Sequence, residues 1–447
     1  MNRILNILIL CALSGFWLCG CMSEDSNSLE TSDIFIKYYG SESAEETIDL
    51  IELSDGYLLL GSRTDVDNTD IYLVRTDSAG NRMWENVIDN DITGNTEATS
   101  TIDIPSKMYY DEARDVLHIV GTSSFDREDD DLEKVQVDHL FLANLTIDNT
   151  GFTVTDTLIY RYYDERSSVN ASYVPSFKAV SGADVLPIGN NELLVLGTVE
   201  AGSNDPSFSD NSVLLMRISN DFQTVNWERV KGFGSDDFGR SLLVAGNNYY
   251  YMGALTTTSG VGNGGIDVLV EEFNPISGNE NNQIEYGTAD NDEGYNMIYT
   301  NPGIAIVGTT GTGSVQYAFM LKISSNLGAA QIKTLTYPED ENQDWNTQGA
   351  DLAQTASGDF FVVGTVNSFT DGADPREDEI VLLPTNSVGE VYEGDVQEYG
   401  SVQSDAGNAI IRKSDGTMVI GATVHFGGSA TMMSLMKTNK NGEFLRN

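Results

Sequence analysis

The chain has 447 residues, and 68 acidic side chains against 24 basic ones leave a formal net charge of −44. Such a charge repels nucleic acid and anionic head groups and attracts cations and basic partners, so nucleic acid is excluded as a ligand. The only cysteines are Cys11, Cys19 and Cys21, which leaves the body of the chain without a disulfide framework, thiol catalyst or cysteine metal site.

The opening MNRILNILILCALSGFWLCGC carries Arg3, an apolar run from Ile4 to Leu18 broken by Asn6 and Ser14, and small Gly20 before Cys21. This pattern reads as a secretory signal. Its apolar run is too short for a comfortable membrane span, which needs roughly 20 residues. Leu18-Cys19-Gly20-Cys21 resembles the lipobox of bacterial lipoproteins. That resemblance implies removal of residues 1–20 and acylation of Cys21, and each buried methylene of the acyl chains would contribute about 0.8 kcal/mol to membrane attachment. The acidic Met22-Ser23-Glu24-Asp25 that follows is similar to the tails of surface lipoproteins of the Bacteroidota, which implies the outer membrane, lipid-anchored and exposed on the cell. Residues 21–32 then read as a polar linker of at most roughly 35 Å, so the folded body at 33–447 stays near the bilayer.

From there an apolar stretch ending in glycine recurs: YLLLGSR from Tyr57, LHIVGTS from Leu117, LLVLGTV from Leu193, YYYMGAL from Tyr249, IAIVGTT from Ile304, FFVVGTV from Phe360 and TMVIGAT from Thr417. The glycines are Gly61, Gly121, Gly197, Gly253, Gly308, Gly364 and Gly421, spaced by 60 and 76 residues and then by 55 to 57. A period of this size marks a repeat architecture. Within each repeat a moderately apolar strand such as TIDLIEL from Thr47 precedes a tight turn, for example Ser54-Asp55-Gly56. The glycine-ending stretch comes second and is too short and too rich in Val, Ile and Tyr for a helix. A third strand follows, as in DIYLVRT from Asp70 or DVLVEEF from Asp267; a fourth carries an aromatic, as in RMWENVI from Arg82 or VNWERVK from Val225.

Four antiparallel strands repeated radially are the plan of a β-propeller blade, and seven repeats predict an all-β, seven-bladed propeller. The second strand, apolar on both faces, belongs between neighbouring blades. IFIKYYG from Ile34 has the character of a fourth strand with no first three, while the last repeat runs out near Phe444. The N-terminal strand is therefore expected to complete the C-terminal blade and close the ring, with Phe444 to Arg446 competing for part of that position. The units DGYLLLGS and DIYLVRTDSAGNRMW resemble the propeller-like repeats of secreted and lipid-anchored Bacteroidota proteins, a likeness that covers nearly all of the chain from Ile34 and implies architecture more than function.

Long acidic loops collect on one face of such a propeller, and loops on a rigid scaffold are the usual home of recognition. The candidate ligand or partner residues there are Asp236, Asp237, Phe238, Asp290, Asp292, Glu293, Tyr295, Trp345, Asp371 and Asp374, with Phe208 a further loop aromatic. Aromatics among them can stack on sugars or anchor a protein. Asp65, Asp67 and Asp70 are weak calcium candidates, because the sixth-position glycine is missing and Thr76 stands where an EF-hand needs Glu. His118, His139 and His425 show no metal-ligand spacing, and no nucleophile elbow, phosphate loop or zinc protease motif is present. No cofactor is implied. These features lead to the expectation of a non-enzymatic surface lipoprotein that binds a ligand or docks on an outer-membrane protein complex. The alternatives are glycan capture beside a nutrient transporter and a polysaccharide-acting enzyme whose carboxylate pair only spatial separation can reveal.

Overall fold

The computed structural model describes residues 34–41, 43–66, 68–88, 101–128, 134–160, 162–163, 177–200, 211–232, 236–245, 249–257, 265–300, 303–312, 315–328, 330–337, 344–369, 377–401, 403–427 and 430–444. They form an all-β protein of four-stranded antiparallel units of the propeller type. Strand β1 (Phe35–Tyr39) comes first, and the first complete unit follows as β2 (Ala44–Leu53), β3 (Gly56–Asp65), β4 (Asn68–Asp77) and β5 (Arg82–Ile88). The second is β6 (Thr101–Asp111), β7 (Val116–Glu128), β8 (Lys134–Ile147) and β9 (Phe152–Tyr160). A two-stranded ribbon, β10 (Tyr162–Tyr163) with β11 (Phe177–Lys178), separates it from the third, β12 (Val180–Ile188), β13 (Glu192–Glu200), β14 (Asn211–Ser219) and β15 (Val225–Lys231).

The fourth unit is β16 (Asp237–Ala245), β17 (Tyr249–Thr256), β18 (Asp267–Phe273) and β19 (Glu280–Tyr286); the fifth is β20 (Asn291–Tyr299), β21 (Ile304–Thr312), β22 (Val315–Ile323) and β23 (Ala330–Thr334). β24 (Asp344–Gln354), β25 (Phe360–Phe369), β26 (Glu379–Thr385) and β27 (Gln397–Tyr399) make the sixth. The last repeat supplies β28 (Ala406–Arg412), β29 (Met418–Gly427) and β30 (Ala430–Thr438), and its fourth strand is β1, antiparallel to β30 from Phe35 opposite Lys437 to Tyr39 opposite Met433. Phe444 does not compete for that place. Its ring packs edge-on against Tyr399 of the preceding unit, 5.4 Å between centroids.

The second strand of each unit is buried because its alternating side chains enter two different cores. Leu58 and Leu60 of β3 pack with Ile119 and Phe141 of the next unit, whereas Tyr57 and Leu59 pack with Val419, Met433 and Leu435 of the last repeat. The other cores lie in the same way between successive units. Burial of this kind contributes about 25 cal/mol per Å² of apolar surface.

The recurrent glycines have a specific cause. Each pairs with a residue flanking a β-bulge in the leading strand of its unit, as Thr47 opposite Gly61, Gly182 opposite Gly197 and Gly349 opposite Gly364. The bulge crowds a carbonyl against the second strand: a Cβ on Gly364 would fall 1.8 Å from the Gln348 oxygen, and one on Gly61 would fall 2.1 Å from that of Glu46. At Gly61, Gly121, Gly197, Gly308 and Gly364 only a residue without a side chain fits, whereas a Cβ on Gly253 or Gly421 would come no nearer than 3.0 or 3.1 Å to a neighbouring side chain. The turns after the third strands have their own signature, an Asp or Asn whose side chain accepts backbone N–H groups. Asp77 Oδ1 takes those of Ala79 and Asn81 at 2.9 and 2.8 Å, and Asn386 and Asn439 act alike.

Candidate active site

A bulge turns two consecutive side chains the same way, and here the bulges of all seven leading strands converge. Each strand contributes its bulge residue and the next residue to one cavity of about 140 Å³. The bulge residues are Ile48, Ser106, Ala183, Arg240, Tyr295, Ala350 and Asn408; the residues after them are Asp49, Lys107, Asp184, Ser241, Asn296, Asp351 and Ala409. The lining is therefore polar and unequal around its circumference, although it is built from repeats of one unit.

Three carboxylates surround one ammonium. Lys107 Nζ donates to Asp49 Oδ1 at 3.0 Å, and Asp49 Oδ2 accepts the Met108 N–H of the next leading strand at 3.1 Å. Asp184 accepts the N–H groups of Val185 at 2.7 Å and Leu242 at 2.6 Å; Asp351 accepts those of Leu352 and Ile410, both at 2.8 Å, and the Asn296 amide at 2.6 Å. Burial pushes Asp184 up to about 6, against the pull of Lys107 and the two backbone donors. Asp351 is raised by burial too, with Lys107 the largest opposing influence. Burial would lower Lys107, but Asp49, Asp351 and Asp184 together hold it above the ordinary lysine range. The four groups thus form one electrostatic unit.

Arg240 and Tyr295 occupy adjacent bulges. The guanidinium carbon lies 5.9 Å from the centre of the Tyr295 ring, and the Tyr295 hydroxyl donates to Glu293 Oε2 at 3.3 Å. Burial lowers Arg240, countered by Tyr295 and Glu293, and burial raises Tyr295, assisted by Glu293.

Of the ligand-face candidates in the sequence, Tyr295 alone lines this cavity, with Glu293 bonded to it. Asp237 and Asp292 are fully buried, and Asp292 Oδ2 is occupied by the N–H and hydroxyl of Thr288 at 2.5 and 2.9 Å. Asp236 accepts from the Asn211 amide at 2.7 Å, Asp290 donates its N–H to the Thr288 hydroxyl at 3.1 Å, and Phe238 is half-buried. Trp345 stacks on Tyr337, 4.6 Å between centroids, and packs on the core between the fifth and sixth units. Cys21, Asp67, Phe208, Asp371 and Asp374 lie outside the described residues.

Asp65 accepts from Ser43 and Asp70 from Asn68, and among the described residues no group of three or more His, Cys, Asp or Glu side chains has metal-binding geometry. His118 is a core residue bonded to Asn144 at 2.6 Å and lowered by burial; His139 is buried, and His425 gives its N–H to Asp405. Asp49, Lys107, Asp184, Arg240, Asn296 and Asp351 were not foreseen. Their signal is a charged or amide side chain in an otherwise apolar or small-residue leading strand, as in TIDLIEL, GADVLPI and GADLAQ.

No family model matches the chain, and no curated protein matches it. Among solved structures it is similar to an ulvan lyase of polysaccharide lyase family PL25, with a TM-score of 0.53 and 10% identity over 92% of this chain and 98% of that one. An ulvan lyase structure of the same description bound to GlcA(1-4)Rha3S units gives a TM-score of 0.51 and 8% identity over the same shares. The GH93 α-L-arabinofuranosidase of Fusarium graminearum with arabinobiose covers 90% of this chain and 98% of its own at 10% identity, with a TM-score of 0.41. At these identities the likeness is one of fold. The likeness to the ulvan lyases corrects the expectation of a non-enzymatic protein, because a polysaccharide-cleaving enzyme is built on this fold. The docking-scaffold reading is withdrawn with it.

Proposed function

We propose that the protein is a polysaccharide-acting enzyme on a seven-bladed propeller ring, with its acid–base chemistry in the central cavity. The ring is supported by the pairing of β1 with β30 and by the apolar core shared between the last repeat and the first complete unit. The observation that carries the activity is one polar cavity holding carboxyl groups in contrasting environments: Asp184, pushed up to about 6 by burial, and Asp49, ion-paired to Lys107 at 3.0 Å. Such divergence is how a site assigns acid and base roles. Asp184 holds a proton for the glycosidic leaving oxygen, and Asp49 is the base toward the attacking water. Lys107 holds Asp49 in place, and the backbone donors fix the direction of the Asp184 carboxyl. The lipobox resemblance supports attachment at the outer membrane through Cys21, which palmitate labelling of wild type and Cys21→Ala tests.

Reducing-end release from a panel of neutral and uronate-containing polysaccharides tests the activity. Turnover on at least one of them, reduced about 10²-fold or more in Asp184→Asn with thermal unfolding of the variant measured alongside, is the expected result. No turnover across the panel, or full turnover in both Asp184→Asn and Asp49→Asn, overturns it.

A further inference from the structure

We infer that Arg240 is an anion receptor and that the cavity takes an acidic sugar, one carrying a carboxylate or a sulfate ester. This rests on the reading of the cavity as the substrate site. In a chain with 68 acids and 24 bases, an arginine finds a carboxylate easily. Arg63, Arg75, Arg82, Arg114, Arg217 and Arg229 each have one within 4 Å. Among the described residues none lies within that distance of Arg240 or of Arg412, and of these two Arg240 lines the cavity. An Nε without a hydrogen-bond partner is common to Arg240 and to Arg63, Arg75, Arg217 and Arg229, so what sets Arg240 apart from those is the missing carboxylate.

A guanidinium that lines a polar cavity without a carboxylate within 4 Å has N–H groups to offer to paired acceptor oxygens. A carboxylate or sulfate offers that pair, and a sugar hydroxyl does not. Tyr295 supports the geometry. Its ring lies against the guanidinium at 5.9 Å and gives it a flat wall. The acids of the same cavity have partners of their own: Asp49 is ion-paired to Lys107, and Asp184 and Asp351 accept backbone N–H groups. The protein as a whole repels anions, so recognition of an acidic glycan has to come from a specific cation of this kind rather than from the general field.

The test is a binding titration of the full folded domain with glucuronate, glucose 6-sulfate and glucose, with turnover measured separately. Glucuronate or the sulfated sugar is expected to bind at least about tenfold more tightly than glucose, and the better of the two identifies the anion. Arg240→Gln should abolish the preference, and Arg240→Lys, which keeps the charge without the fork, should retain only part of it. Equal binding of all three sugars to wild type, or an undiminished preference in a folded Arg240→Gln, overturns the inference. Cleavage of neutral glycans without any acidic preference would remove this inference and leave the enzymatic reading. An acidic preference dependent on Arg240 with no turnover anywhere would do the reverse.

Discussion

The leading strands bury acids at two levels, and the two sets do different work. At the strand starts, Glu45, Asp292 and Asp405 each reach back four residues to bond the N–H and hydroxyl of Ser41, Thr288 and Ser401. These acids staple the loops that enter each unit. At the bulges, Asp49, Asp184 and Asp351 reach sideways to the next leading strand, accepting from Met108, Leu242 and Ile410, and also face the cavity. Both levels hold buried acids of the same chemical kind. Their neighbours decide that one set closes loops and the other lines a site, so an acid-rich loop motif is a poor guide to function in this protein.

The largest way to sharpen that contrast is catalytic. Asp184→Asn should lower turnover about 10²-fold while Asp292→Asn leaves it nearly unchanged, measured on whichever polysaccharide the panel identifies. Equal losses in both would erase the distinction. Next comes the bulge itself: Gly364→Ala would push a methyl into the Gln348 carbonyl and should destabilise by about 1–3 kcal/mol in denaturant unfolding. Because that bulge presents Asp351, the variant should also disturb the cavity.

Removing a staple should act on stability alone. Asp292→Ala strips partners from Thr288 and should cost about 1–2 kcal/mol, read as a shift in urea midpoint at unchanged kcat. A further effect is on pH dependence. Asp184 stands at about 6 in the folded protein, above its ordinary 3.8, so the folded state keeps a proton that the unfolded chain has lost between these values. Stability from this group is therefore full below about pH 4, falls as pH rises to about 6, and is level above that, a change of about 3 kcal/mol. Asp267, raised to about 6 by burial and then by Asp292 and Glu285, titrates in the same window. The measurement is thus the difference between wild type and Asp184→Asn, and an identical slope for the two would place the proton elsewhere.

Much of the fold was legible. The seven glycines, the turn at Ser54-Asp55-Gly56 and the orphan strand after Ile34 all read correctly, because each expresses a local constraint on strand, turn or edge. The site was hardly legible. Tyr295 entered only as a loop aromatic, and Asp49 passed as part of a strand, because nothing local marks which strand position carries a bulge. The acidic loops drew attention by their density of charge, yet Asp237 and Asp292 turn inward.

The amino-acid sequence by itself determined the repeat and the strand order in each unit, since period, alternation and turn chemistry act over a few residues. Only the tertiary structure decided that Asp49, Lys107, Asp184 and Arg240 share one cavity. They stand in four different units, and their meeting depends on the register of each bulge and on contacts such as Asp49 with Met108 and Asp184 with Leu242, across 59 and 58 residues. The charge state of Asp184 is likewise a property of burial and neighbours, and neither is written in its own segment of chain.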